Sequence, residues 1–226
     1  MNYVNYNNDI MLPNHLASIA KLTRDNGKVV KNDDGYFKES DITTYSAWKI
    51  PLLGGIFLYQ YLRKLSLDVG IIQHVQLEQE AFDTFLHQGP KVIAISTTLL
   101  LNPMDILALV KYCRSISPES FIVLGGMSVW NSYLSNKDNP GLFKLYKADA
   151  VVLDAKGFKT LGLIVQHIKK RKPLTDIPNL ILYKDNSVKV TPQKAEDFDF
   201  NKDSINWDLV DDHLIDRISL VRTQIS

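Results

Sequence analysis

Residues 91–96 read KVIAIS, residues 121–126 read FIVLGG and residues 150–153 read AVVL. Each holds a short, continuous run of aliphatic and β-branched side chains. An alternating run would bury one face only, whereas a continuous one suits a strand of a parallel sheet covered on both faces. The segments between them carry the other period. Residues 103–116 (PMDILALVKYCRSI) open on a proline, which suits the first turn of a helix, and repeat apolar residues every three or four positions. Residues 127–134 predict a shorter helix. Residues 158–171 predict a longer one ending on Lys169, Lys170 and Arg171, the charge favoured at a helix C-terminus. Strand and helix in alternation predict an α/β domain around a parallel sheet.

Outward from these stretches the pattern continues. Residues 51–65 predict a helix entered through Leu53-Gly54-Gly55, residues 69–75 a strand, and residues 77–88 a helix stopped by Gly89-Pro90. The expectation is a flavodoxin-like or Rossmann-like doubly wound parallel sheet of about five strands in the order 2-1-3-4-5. Its first strand has three rival positions, 9–13 (DIMLP), 28–30 (KVV) and 42–45 (ITTY), in an asparagine-rich, irregular start. After Pro173 the rhythm changes. Residues 180–183 and 188–190 flank a polar turn and predict a β-hairpin. Residues 191–202 are polar and acidic, as a linker is, 207–216 form a short amphipathic turn, and 220–225 are strand-like. The expected organisation is an irregular segment over 1–50, an α/β domain over 51–173, and a hairpin with linker over 174–226.

Composition narrows the function. The chain has 226 residues, 45% of them hydrophobic, enough to bury a core without metal or disulfide support. Its 26 basic and 25 acidic residues nearly cancel, so a role in coating nucleic acid is not expected. The single cysteine, Cys113, excludes an intrachain disulfide and a cysteine-ligated cluster within this sequence, and fits a reducing cytoplasm. No signal peptide is expected from MNYVNYNNDIM. The longest apolar run, 92–101, is interrupted by Ser96, Thr97 and Thr98 and is too short to cross a membrane. The five histidines show no metal-ligand spacing.

In an open α/β sheet, ligands bind beyond the carboxyl ends of the strands. Four loops fall there: 51–55, 96–102, 125–128 and 154–158. They carry small hydroxyls, glycines and helix N-termini, which can meet polar ligands through the backbone. The candidates are Leu53, Gly54 and Gly55 in the first, and Ser96, Thr97, Thr98, Leu99 and Asn102 in the second. Gly125, Gly126 and Met127 follow in the third, and Asp154, Gly157 and Phe158 in the fourth. Each has a plainer reading. Gly125-Gly126 can be a tight strand-to-helix turn, Thr98 can satisfy a helix N-terminus, and Asn102-Pro103 can be a cap and first helical residue.

Ser96-Thr97-Thr98, then 26 residues, then Gly125-Gly126, resembles the Ser-x-Leu/Thr and Gly-Gly pattern of cobalamin-binding domains. Leu53-Gly54-Gly55 with Tyr61-Leu62-Arg63-Lys64, Thr160-Leu161, and Ile177-Pro178-Asn179-Leu180 fall in the same order as that family's motifs. Asn206-Trp207-Asp208-Leu209-Val210 and Arg222-Thr223-Gln224-Ile225-Ser226 resemble the join between such a domain and a radical SAM domain. The resemblance covers roughly residues 51–226. It implies a bound cobalamin, with the Ser/Thr loop and the Gly-Gly loop flanking its nucleotide tail. It also implies a radical SAM domain as partner, in cis or in trans, which alone would carry the [4Fe-4S] cluster and S-adenosylmethionine. On this reading the sequence is cut just before the cluster motif and is not by itself an active enzyme.

The sequence departs from the family at two places. The histidine-donating Asp-x-His-x-x-Gly motif is absent, because Ile72 and Leu77 stand at its Asp and Gly positions around His74. Asp154-Ala155-Lys156-Gly157-Phe158 replaces the Gly-Glu-Gly-Glu that relatives often carry. A second reading is therefore a scaffold domain that keeps the fold without the cofactor. A phospho-acceptor receiver domain is excluded, since Ser96 occupies the position of its aspartate.

Overall fold

The computed structural model describes residues 21–25, 28–29, 43–46, 53–73, 75, 78–100, 102–184, 187–197 and 205–207. A small antiparallel sheet comes first, with β1 (Lys21–Asp25) between β2 (Lys28–Val29) and β3 (Thr43–Ser46). Two of the rival first-strand positions thus become strands of a separate sheet, and 9–13 lie outside the described residues.

The main body alternates as the apolar runs require. Helix α1 (Leu53–Lys64) and helix α2 (Gln79–His87) precede β4 (Val92–Ser96). Helix α3 (Pro103–Ile116), β5 (Phe121–Gly125) and helix α4 (Met127–Ser135) follow. A 3-10 helix (Pro140–Tyr146) leads into β6 (Ala150–Val152) and helix α5 (Phe158–Lys169). The hairpin of β7 (Leu180–Lys184) and β8 (Ser187–Val190) closes the series.

The sheet runs β4-β5-β6-β7-β8. Strands β4, β5 and β6 are parallel, and β7 and β8 join antiparallel. The fold is α/β and Rossmann-like, but its five strands differ from the expected set. The hairpin is part of the sheet, and the neighbours run in chain order rather than 2-1-3-4-5. The expected strand over 69–75 is not formed at its described residues. Its apolar side chains are used in packing instead: Ile71 lies against Ile56, and Ile72 and Val75 lie against the main core.

Side-chain alternation divides the core into two layers. Ile93, Ile95, Ile122, Leu124, Val151 and Ile181 face one side, against α2, α3 and α4. Val123, Ala150, Val152 and Leu180 face the other, against α1 and α5. Both faces of the parallel strands are therefore buried, which explains their unbroken hydrophobicity. The N-terminal ends of the strands are tied by Arg114 to Asp149 at 2.6 Å, whose Oδ2 also accepts from the Ile122 N–H at 2.7 Å. That leaves the carboxyl ends for the loops of interest.

Candidate binding edge at the carboxyl ends of the strands

Ser96 ends β4, Gly125 ends β5, and the parallel ladder pairs them directly. Two motifs far apart in sequence are thus side by side. Thr97 stitches them together. Its N–H and its hydroxyl both donate to the Gly125 carbonyl, at 2.7 and 2.9 Å, and the hydroxyl accepts from the Val129 N–H at 3.2 Å. Thr97 is fully buried, so its hydroxyl serves the fold. Ser96 is exposed, and its hydroxyl donates to Thr98 Oγ1 over a long 3.3 Å.

The two glycines differ. Gly126 has φ +102, and a Cβ there would meet Thr98 Oγ1 at 2.8 Å and the Thr97 and Thr98 nitrogens at 3.0 Å. The turn itself demands glycine at that position. Gly125 has no positive φ, and its Cβ would meet only Val152, at an ordinary 3.6 Å. Val152 also lies under the next loop, because a Cβ on Gly157 would come within 3.0 Å of Val152 Cγ1. Ser96, Gly125, Val152 and Gly157 therefore make a row of small residues across one face of the sheet edge. Ser128, at the start of α4, adds a buried hydroxyl with no partner among the described residues.

The loop after β6 is an Asx turn. Asp154 Oδ1 accepts from the N–H groups of Lys156, at 2.7 Å, and Gly157, at 3.2 Å. Phe158 then opens α5 and packs on Phe57, with ring centroids 5.1 Å apart, which brings the first turns of α1 to the same edge. Within the α1 entry, Gly54 is exposed with open space where a Cβ would stand, and Leu53 and Gly55 are half-buried. Asn102 caps α3 by accepting from Met104 N–H at 3.0 Å. The Asp105 carboxyl beside it is held above the ordinary carboxylate range by burial, with an opposing hydrogen bond from Asn102. Leu99, Met104 and Met127 are exposed and give this edge an apolar rim. Among the described residues no cluster of His, Cys, Asp or Glu could hold a metal ion. A groove of about 450 Å3 lies elsewhere, lined by Gly70, Ile72, Glu80, Thr84 and Phe85, and includes none of the candidate residues.

Sequence reasoning missed the exit segment. Asn179, buried and at φ +63, pairs its carboxamide with the Lys194 backbone: Nδ2 donates to the carbonyl at 2.6 Å and Oδ1 accepts from the N–H at 2.7 Å. Gln60 of α1 repeats the device with Asn206, at 2.7 and 2.9 Å. Between these clamps, Glu196 accepts from the Lys159 N–H at 3.1 Å and the Thr160 N–H at 2.7 Å, so its carboxylate fills the N-terminus of α5. Nothing in an acidic linker singles out Glu196. Asn179 was visible within Ile-Pro-Asn-Leu, but not its role.

No family model matches the sequence, and no curated protein matches it. Solved structures do share its fold. A radical S-adenosylmethionine methyltransferase, TsrM, from Kitasatospora setae, with tryptophan substrate and a SAM analogue bound, aligns at a TM-score of 0.51 and 15% identity. That alignment covers 63% of this chain and 27% of the other. TsrM with cobalamin and a [4Fe-4S] cluster bound aligns at 0.51 and 16% identity, over 65% of this chain and 29% of the other. The chain therefore corresponds to under a third of those proteins' length, and at this identity the likeness is one of fold. No described helix is long and apolar enough to cross a membrane.

Proposed function

We propose that this chain is the cobalamin-binding module of a B12-dependent radical SAM enzyme. The observation that carries the reading is the direct ladder pairing of Ser96 with Gly125 at the carboxyl edge of the sheet, in a fold shared with TsrM. The residues present fit such a ligand at two of the loops. Ser96 offers an exposed hydroxyl, Gly125 leaves the main chain approachable, and Ser128 holds an orphaned buried hydroxyl beside them. Leu99, Met104 and Met127 supply an apolar rim that would exclude water from a large ligand. When bound, cobalamin supplies cobalt-centred methyl-transfer chemistry; this chain binds and orients it. A radical SAM domain, in cis or in trans, completes the enzyme on this reading.

A second reading, a cofactor-free scaffold, is favoured by one specific observation. The fourth loop has lost the family's glycine-rich pattern, and the helix N-terminus behind it is already filled by Glu196. Titration of the purified chain with hydroxocobalamin, then desalting and an absorbance spectrum, separates the two. The cofactor reading expects near-stoichiometric retention that is lost in Ser96→Ala/Gly125→Val with the circular dichroism spectrum unchanged. Retention by the double variant at the wild-type level would refute the site, and no retention by the folded wild type would favour the scaffold.

A further inference from the structure

We propose that residues 191–197 form a latch that fills the N-terminus of α5 with the chain's own anion, Glu196, and so controls access of phosphate-bearing ligands to the loop at 154–158. The proposal stands whether or not the domain binds cobalamin.

The first N–H groups of a helix have no partner within it and attract negative charge. In α5, two of these donors are taken by the two oxygens of Glu196, one each from Lys159 and Thr160. A phosphate or carboxylate ligand would be held by the same donors. Lys159 adds a second tie, its ammonium donating to the Asp197 carbonyl. The other end of the latch is fixed by Asn179, which clamps Lys194 and donates its own N–H to the Pro192 carbonyl at 3.0 Å. The Asn179 carbonyl in turn accepts from the Leu153 N–H at 2.7 Å, the residue just before the loop. The latch thus grips the loop at both ends.

Burial shows how it could open. Thr191 is buried and bonded to Leu180, which anchors the segment, whereas Gln193, Lys194 and Ala195 are exposed. Lifting Glu196 breaks surface hydrogen bonds and leaves the core intact. A ligand anion and Glu196 therefore compete for one pair of donors. With Glu196 docked the terminus is closed, and with it lifted the terminus is an anion site flanked by Lys156 and Lys159.

The test uses the full chain, inorganic phosphate as probe and chloride at matched ionic strength as control. Wild type should show protected Lys159 and Thr160 amides in hydrogen exchange, and a melting temperature that phosphate leaves unmoved. Glu196→Ala should lose that protection and melt about 2–6 °C lower, and phosphate, not chloride, should restore both. Glu196→Gln keeps the shape and one acceptor oxygen, and should show a smaller loss and a smaller phosphate response; it carries the comparison if the alanine variant does not fold. A wild type that phosphate stabilises as strongly as the variants would overturn the proposal. So would Glu196→Ala amides that stay protected without phosphate, or stay unprotected with it.

Discussion

Gly125 and Gly126 look equivalent in the sequence and are opposite in kind. Gly126 adopts φ +102 with backbone and hydroxyl atoms 2.8–3.0 Å from where a Cβ would stand, so alanine there meets both strain and a clash. Gly126→Ala should lower unfolding free energy by about 2–4 kcal/mol in urea denaturation. Gly125→Ala has ordinary backbone geometry and 3.6 Å to its nearest neighbour, and should cost under about 1 kcal/mol. Equal losses at both positions would contradict the close approach of Thr97 and Thr98 to Gly126. The contrast matters for function. A conformational requirement explains Gly126 without any ligand, so evidence for a bound cofactor must come from Gly125 and Ser96, where the fold makes no such demand. Thr97 belongs with Gly126, since its hydroxyl is spent on the Gly125 carbonyl and the Val129 N–H.

At the scale of elements, helices α1 and α5 meet at a glycine. A Cβ on Gly162 would stand 2.9 Å from Leu65 Cδ1 and 3.4 Å from Tyr61 Cε1. Gly162→Leu should force the helices apart and cost about 1–3 kcal/mol or more, read in thermal or urea unfolding. A neutral result would mean that this packing yields easily. The exit segment makes a separate case. Asn179→Ala removes both bonds to Lys194 and places alanine at φ +63, an expected loss of about 2–4 kcal/mol. Asn179→Asp retains the acceptor but not the donor and should fall between alanine and wild type; parity with alanine would refute the paired clamp. These elements also mark how far the sequence could be read. The buried strands β4 to β6 were legible because burial on two faces leaves an unbroken apolar run. Helix α3 was legible through its proline and its period. The segment at 69–75 was misread because Ile71 and Ile72 have a strand's alternation but use it to pack on both sides of a non-ladder segment. The clamps and Glu196 were illegible, since a carboxamide that pairs with distant backbone leaves no local pattern. At the edge itself, the Ser96 and Gly125 pairing followed from two strand ends, whereas the orphaned Ser128 hydroxyl depends on packing that sequence does not reveal.

For the whole molecule, the same core layer that hides the face of the sheet also hides ionisable groups. Burial pushes the Cys113 thiol up from 9.0 to about 12, and raises Tyr183 and Tyr146; Tyr112 is raised by burial and by its bond to Asp83. All four belong to the layer under α2, α3 and α4. Below pH 9 the thiol is protonated in both folded and unfolded chains and has no effect on stability. Above it the unfolded chain ionises while the folded chain stays neutral, so the unfolded state binds fewer protons and stability falls as pH rises. For Cys113 alone the loss is at most about 4 kcal/mol between pH 9 and 12, with the tyrosines adding to it above pH 10. Urea midpoints at pH 7.5, 9.5 and 10.5 should therefore decline progressively. Cys113→Ala, although less stable at neutral pH from the lost volume, should show a shallower decline between 7.5 and 9.5. Because the thiol is shielded by the fold, its reaction with a disulfide reagent should also proceed no faster than unfolding. A flat profile to pH 10.5, or a thiol that reacts in the folded chain, would place Cys113 outside the buried layer and break the two-sided burial that the apolar strands require.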